Sequence, residues 1–198
     1  MSTSRKLTLA DILDVRAYER EREQSRARVL ALKQRRRLAL GTLVTIMFEN
    51  RETMRHQIHE MARVERLTTD EAIQDELDTY NPMVPEPGQL CATVFLELTS
   101  DDQMRDWLPK LVGIERSFQF QLADGSIVPS ITDEQHQSQL TREHVTAAVH
   151  YIRFELTPAQ VEAFVSPVVL AIDHPDYREA VELLPETIDE LRKDLVDE

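Results

Sequence analysis

The first forty residues carry their apolar side chains in two separated groups. Leu9, Ile12, Leu13 and Val15 form one, and Ala27, Val29, Leu30 and Leu32 form the other. The stretch between them, Glu19 to Arg26, has no apolar side chain. No Pro or Gly occurs before Gly41, so the spacing predicts a helix from about Leu9 toward Arg36, roughly 42 Å long at 1.5 Å per residue. Thr8 and Asp11 suit its N-terminus, where the helix dipole favours an acid. Glu19–Arg22, Arg20–Glu23 and Glu23–Arg26 are opposite charges at helical spacing. They predict a helix whose middle stands in water, as a projecting arm or as a bridge between two packing sites.

From Gly41 the period changes. Leu43-Val44-Thr45-Ile46-Met47-Phe48 is apolar on both alternating faces, the pattern of a central strand covered on both sides, and Glu49-Asn50 ends it. A second helix follows over Arg51 to about Arg66. Its spacing predicts that Met54, Ile58 and Met61 are buried and that His56 and His59 are exposed. Thr68-Thr69-Asp70-Glu71 is a capping pattern for a third helix that stops before Asn81-Pro82. Pro82, Pro85, Pro87 and Gly88 then stiffen a connection over 81–89. The organisation expected is an N-terminal helical arm over 1–40 and an α+β domain over 41–198, with an internal boundary near 81–89.

Beyond that boundary a weak repeat spans 92–122 and 150–173. Each copy reads strand, Glu-Leu-Thr, helix, strand: Ala92–Thr99, Asp101–Leu111 and Ser117–Leu122, then His150–Thr157, Pro158–Val165 and Val168–Asp173. Thr99 and Thr157 suit N-caps and Pro158 the first helical position, where its missing N–H does no harm. Two such units in series give β-α-β-β-α-β, the ferredoxin-like order. Ala123-Asp124-Gly125-Ser126 marks a hairpin turn. Residues 132–143 are polar and non-periodic, the pattern of a mobile loop. After 176–184, Pro185 restarts a helix through Leu195, whose Leu184, Ile188, Leu191 and Leu195 recur at helical spacing. The fold class expected is therefore α+β: a long N-terminal helix plus a mainly antiparallel sheet with helices on one face, ferredoxin-like in the C-terminal half.

Composition narrows the chemistry. The chain has 198 residues and one cysteine, Cys91, which excludes an internal disulfide framework and a Cys-based zinc knuckle. Its four glycines form no phosphate-cradling loop. No apolar run approaches the ~20 residues a membrane helix needs, and no secretory h-region precedes the first helix. A cytoplasmic location is expected. Residues 1–50 hold 11 Lys/Arg against 6 Asp/Glu, a net of +5, within a chain whose net charge is −13. The acidic body disfavours phosphate backbones, so nucleic acid is an unlikely partner except through the basic segment.

Four clusters are candidates for chemistry. Glu52, His56, His59 and Glu60 share one stripe of the second helix, and a carboxylate with two imidazoles suits a metal such as iron. Arg55 and Arg63 flank that stripe and oppose a cation, and a hydrated charged face explains the same residues. No cofactor is expected. Asp173 and His174, at a strand end, could serve as an acid/base pair, or equally as a turn. Lys33, Arg35, Arg36 and Arg37 could hold an acidic protein or phosphates, or could complement a helix C-terminus. His150 alternates with Ile152, Phe154 and Leu156 and reads as a core histidine satisfied by a carbonyl or an acid. Cys91, in a strand, reads as a small hydrophobe.

Several longer motifs resemble a bacterial family known only as a domain of unknown function. They are Leu7-Thr-Leu-Ala-Asp-Ile-Leu-Asp with Tyr18-Glu19-Arg20, Phe48-Glu49-Asn50-Arg51-Glu52-Thr53, Tyr80-Asn81-Pro82, Leu108-Pro109-Lys110-Leu111 and Ile172-Asp173-His174-Pro175. The resemblance implies genes neighbouring a rubrerythrin-like protein and an iron–sulfur oxidoreductase, and no assigned catalytic residues. The function expected is a non-enzymatic accessory or adaptor protein with such redox proteins as partners. A metal-dependent or redox enzyme using the second-helix stripe is the alternative, and a nucleic-acid regulator acting through the basic arm is the third reading. The long basic helix against an acidic body also suggests a homodimer.

Overall fold

The computed structural model describes residues 5–132 and 145–196. The 132–143 segment read as a loop lies, apart from Thr132, outside the described residues. A single 3-10 turn at Leu9–Asp11 precedes α1 (Val15–Arg36), so the long helix starts later than its apolar spacing suggests. Asp14 caps it by accepting hydrogen bonds from the Arg16 and Ala17 amides. Then come β1 (Arg37–Leu40), β2 (Val44–Glu49), α2 (Arg51–Glu65), α3 (Asp70–Tyr80) and β3 (Gln89–Leu96). The second half holds α4 (Asp101–Trp107), β4 (Phe118–Gln121), β5 (Ile127–Ile131), β6 (Val149–Glu155), α5 (Pro158–Ala163), β7 (Val169–His174), β8 (Tyr177–Glu182) and α6 (Pro185–Leu195).

The eight strands form one sheet in the order β1-β2-β3-β6-β5-β4-β7-β8, and every neighbouring pair is antiparallel. The sheet curls into a nearly closed barrel. This corrects the ferredoxin-like order, although the α+β class holds. The six elements of the repeat form, yet a ferredoxin-like arrangement would place the first strands of the two units side by side in parallel. Here β3 and β6 pair antiparallel, with Ala92 opposite Ile152, and β4 pairs with β7 in the same sense. The hydrophobic pattern specifies strands and their faces but not the partner of each strand, which is a long-range choice. The strands β1 and β8 escape the sequence reading. Arg36-Arg37 continues the composition of the helix, and β8 carries only one buried residue, Tyr177.

The barrel interior is one apolar cluster. Phe120 of β4 lies 4.7 Å from Phe154 of β6 and 5.8 Å from Phe48 of β2, ring centre to ring centre. These rings meet across the sheet, which only a closed curvature allows. Ile188, Leu191 and Leu195 of α6 join the same cluster, so the helices do not all cover one outer face. Closure is completed by Tyr177. Its hydroxyl donates to the Leu40 carbonyl at 2.6 Å and accepts from the Leu43 amide at 3.1 Å, tying β8 to the β1–β2 turn. Gly41 is needed in that turn: its φ is +66°, and a Cβ there would come within 2.5 Å of the Tyr177 hydroxyl.

Strand β2 is buried on both faces along its whole length. Val44, Ile46 and Phe48 join the interior cluster, and Thr45, Met47 and Glu49 alternate with them toward the helices. The helical layer has its own small core, in which Met54 and Ile58 of α2 meet Leu77 of α3, Leu7 and Val84. Asn50 caps α2 by accepting from the Thr53 amide, and Thr69 caps α3 by accepting from the Ala72 amide; α4 is capped by Ser100, which accepts from the Gln103 amide, one residue beyond the expected Thr99. This layer sets the site described next.

Candidate functional site

The second-helix stripe becomes the seam between α1 and α2. Arg22 grips Glu60 with two nitrogens, at 2.8 and 3.0 Å, and the Tyr18 hydroxyl donates to the same carboxylate at 2.7 Å. The Arg22 bonds hold the Glu60 carboxyl down to about 2 against the opposing effect of burial. Burial, reinforced by Glu60, pushes the Tyr18 phenol up. His56 Nδ1 lies 3.2 Å from the Tyr18 hydroxyl. His59 is 5% exposed, stacks on Tyr18 at 4.5 Å and accepts the Leu13 amide through Nε2 at 2.9 Å. The expectation of two exposed histidines therefore fails for His59 and holds only in part for half-buried His56. The segment leading into α1 covers the side of α2 that its own apolar stripe leaves open. Met61 is half-buried where burial was expected.

These contacts consume the donor atoms that a metal would need. Arg22 faces both Glu60 oxygens, Arg63 is a second cation at 3.3 Å, and Glu52 is paired with Arg55 at 2.9 Å. Among the described residues no group of three His, Cys, Asp or Glu side chains is placed to hold a metal ion. The polar middle of α1 thus meets α2 along one side, through Arg22 and Ser25 next to Tyr18, while Glu19, Arg20, Glu21, Glu23, Gln24 and Arg26 are exposed.

The basic tract divides. Arg36 is completely buried and bonds Asp194 of α6 through two nitrogens at 2.5 and 2.6 Å. Arg37 pairs with Glu97 at 2.8 Å and lies over the Phe95 ring. Arg35 is exposed, and Lys33 is half-buried. Asp173 and His174 do not act together. Asp173 is exposed and pairs with Arg178, whereas buried His174 donates through Nε2 to the Val112 carbonyl and accepts the Asp176 amide through Nδ1. Nδ1 serves the β7–β8 turn, and Nε2 ties that turn to the segment after α4. His150 is 1% exposed and reaches the Ala147 carbonyl at 2.8 Å, with Glu115 3.8 Å away, as its alternation implies.

The feature that sequence reasoning missed lies on the outer face of β2, β3 and β6. Strand register sets three cross-strand rows there: Thr45–Phe95–Val149, Met47–Thr93–Tyr151 and Glu49–Cys91–Arg153. Helices α1 and α2 and the turn after α3 stand over this grid and leave a groove of about 220 Å³. Lys33 and Arg37 line one side, Met54 and Gln57 another, and Tyr80 and Met83 a third. Glu49 lines it too, although only 5% exposed. One Glu49 oxygen accepts the Thr93 hydroxyl at 2.8 Å, and the other is buried with no hydrogen-bond partner. A buried acceptor left unmatched costs about 1–3 kcal/mol, more when charged. Tyr80, Met83 and Tyr151 also wall a smaller adjoining chamber of about 120 Å³, where Cys91 sits. Burial pushes the Cys91 thiol up to about 12, which disfavours the thiolate. The signal available in the sequence was period two: Thr45, Met47 and Glu49 share a strand face, so the acid that ends β2 also lies on that face.

A comparison with curated proteins finds no match. Among solved structures, a crystal structure described as a novel protein of unknown function from Burkholderia pseudomallei K96243 is similar at 36% identity and a TM-score of 0.87. The match covers 96% of this chain and all of that one. A family model described as Protein of unknown function (DUF3501) matches residues 6–195, nearly the whole of the chain, as the resemblance in its motifs implies. The chain belongs to the DUF3501 family.

Proposed function

We propose that the protein is a non-enzymatic binding protein that takes a small molecule into the groove over β2, β3 and β6, and that it acts as a cytoplasmic accessory to redox partners. The observation that carries the binding reading is the buried Glu49 oxygen without a partner, in a groove whose walls carry Met, Phe and Tyr side chains beside Lys33, Arg37, Gln57 and Thr93. A concave, mainly apolar site with a few placed polar groups is the usual form of a small-ligand pocket. A carboxylate at its base has no structural need that a neutral side chain would not meet better. The enzyme reading loses its residues to the seam, where Glu60 and His59 hold α1 in place. The nucleic-acid reading loses Arg36 to Asp194 and shares Arg37 with Glu97. Among the described residues no helix is long and apolar enough to cross a membrane. The accessory role, with rubrerythrin-like or iron–sulfur oxidoreductase proteins as partners, is supported by the implied gene neighbourhood alone.

The test is a saturation-transfer NMR screen of neutral aromatic and thioether fragments against the wild type and Gln57→Trp, which fills the groove from α2. Fragments that bind the wild type and are lost in the variant support the reading. Binding that survives the variant contradicts it. Affinity capture from the native host, read by mass spectrometry, tests the redox partners separately, and recovery of neither class removes that part of the proposal.

A further inference from the structure

We infer that the groove selects a zwitterion of the amino-acid class, with its ammonium on the free oxygen of Glu49 and its acid group on Lys33. This rests on the reading of the groove as a ligand site. The Glu49 carboxylate is buried, and Thr93 satisfies only one of its oxygens. The second needs a donor, and an ammonium supplies both the donor and the opposite charge. Lys33 lines the same groove half-buried and forms no ion pair among the described residues, whereas its neighbour Arg37 is engaged by Glu97. Glu49 and Lys33 share the groove without pairing with each other, so a molecule that spans them meets both charges at once. A simple amine would leave Lys33 unmatched, and a simple acid would leave Glu49 unmatched and place a second negative charge beside it. Met47, Met54, Met83, Phe95, Tyr80 and Tyr151 line the same groove and suit an apolar or aromatic side chain. A groove of about 220 Å³ has room for a molecule about the size of one amino acid.

The experiment is isothermal titration of the full chain with three probes: L-phenylalanine, phenethylamine and 3-phenylpropanoate. L-Phenylalanine is expected to bind tightest, the amine more weakly, and the acid weakest. Glu49→Gln keeps an oxygen for Thr93 and removes the charge. It should weaken both L-phenylalanine and phenethylamine by about tenfold or more, the loss typical of a hydrogen bond to a charged group. Lys33→Ala should weaken L-phenylalanine and leave phenethylamine unchanged. This second contrast decides the matter if Glu49→Gln fails to fold. L-Phenylalanine binding unaffected by either substitution, or 3-phenylpropanoate binding as tightly as L-phenylalanine, overturns the inference. Benzyl alcohol, neutral and aromatic, separates the two levels. If it binds in the groove and L-phenylalanine does not, the ligand class is wrong and the groove reading stands. If neither binds, both fall.

Discussion

Lowering the pH from 7 to 5 should loosen the α1–α2 seam through His59. Its ring is held neutral, because Nε2 accepts the Leu13 amide and a protonated ring could not. Burial first, then Arg55 and His56, depress its pKa to about 4 from the ordinary 6.5, with Glu60 opposing. A histidine with a depressed folded pKa contributes stability that is present above the unfolded pKa and is lost as pH falls toward the folded value. The window is therefore pH 6.5 down to 4. With those two values, His59 alone costs about 2 kcal/mol on going from pH 7 to 5. His56 shifts in the same direction, and Glu60, held near 2, adds its loss at lower pH still. Urea unfolding of the wild type and of His59→Gln at both pH values is the assay, since glutamine does not titrate and its carbonyl can accept the Leu13 amide. The wild type should lose about 2 kcal/mol more than the variant between the two pH values. Equal losses would refute the assignment of a neutral, buried His59.

Three further outcomes follow from the packing. Asp194→Ala should cost about 3–5 kcal/mol in chemical denaturation, because it strands the fully buried Arg36 guanidinium. Tyr177→Phe should cost about 1–2 kcal/mol, the scale of a buried hydrogen bond lost with its partner left behind, and should speed hydrogen exchange at the Leu43 amide more than at strands far from the β1–β8 junction. Cys91 should resist alkylation by iodoacetamide at pH 8 in the folded protein and react at once in urea, as a buried thiol near pKa 12 requires.

Elements whose determinants are local were legible in the sequence. Thr157 and Pro158 start α5, Asn81-Pro82 stops α3, and Asp124-Gly125 turns β4 into β5, each decided by neighbouring residues. Barrel closure was not legible, because it depends on Tyr177 meeting Leu40 across 137 residues of chain. Strand β1 was hidden by helix-like composition, since Arg36 and Arg37 extend a basic helical end although only Arg36 belongs to α1. His59 misled for another reason. Helical periodicity identifies one buried face, but α2 has two, and its second is covered by Leu13 and Tyr18 from a segment with no periodic relation to it. The basic tract looked like a surface because charge suggests exposure, yet Asp194 makes burial of Arg36 tolerable. The candidate groove follows from these long-range choices, since its rows exist only once β2, β3 and β6 are placed side by side.

The groove itself is tested most directly by methionine methyl NMR. Met47, Met54 and Met83 line it, whereas Met61 and Met104 lie elsewhere on α2 and α4. Addition of benzyl alcohol or L-phenylalanine to methyl-labelled protein should shift the Met47, Met54 and Met83 signals and leave Met61 and Met104 in place. Shifts confined to Met61 or Met104, or no shift at millimolar ligand, would contradict the claim that this groove is a binding site.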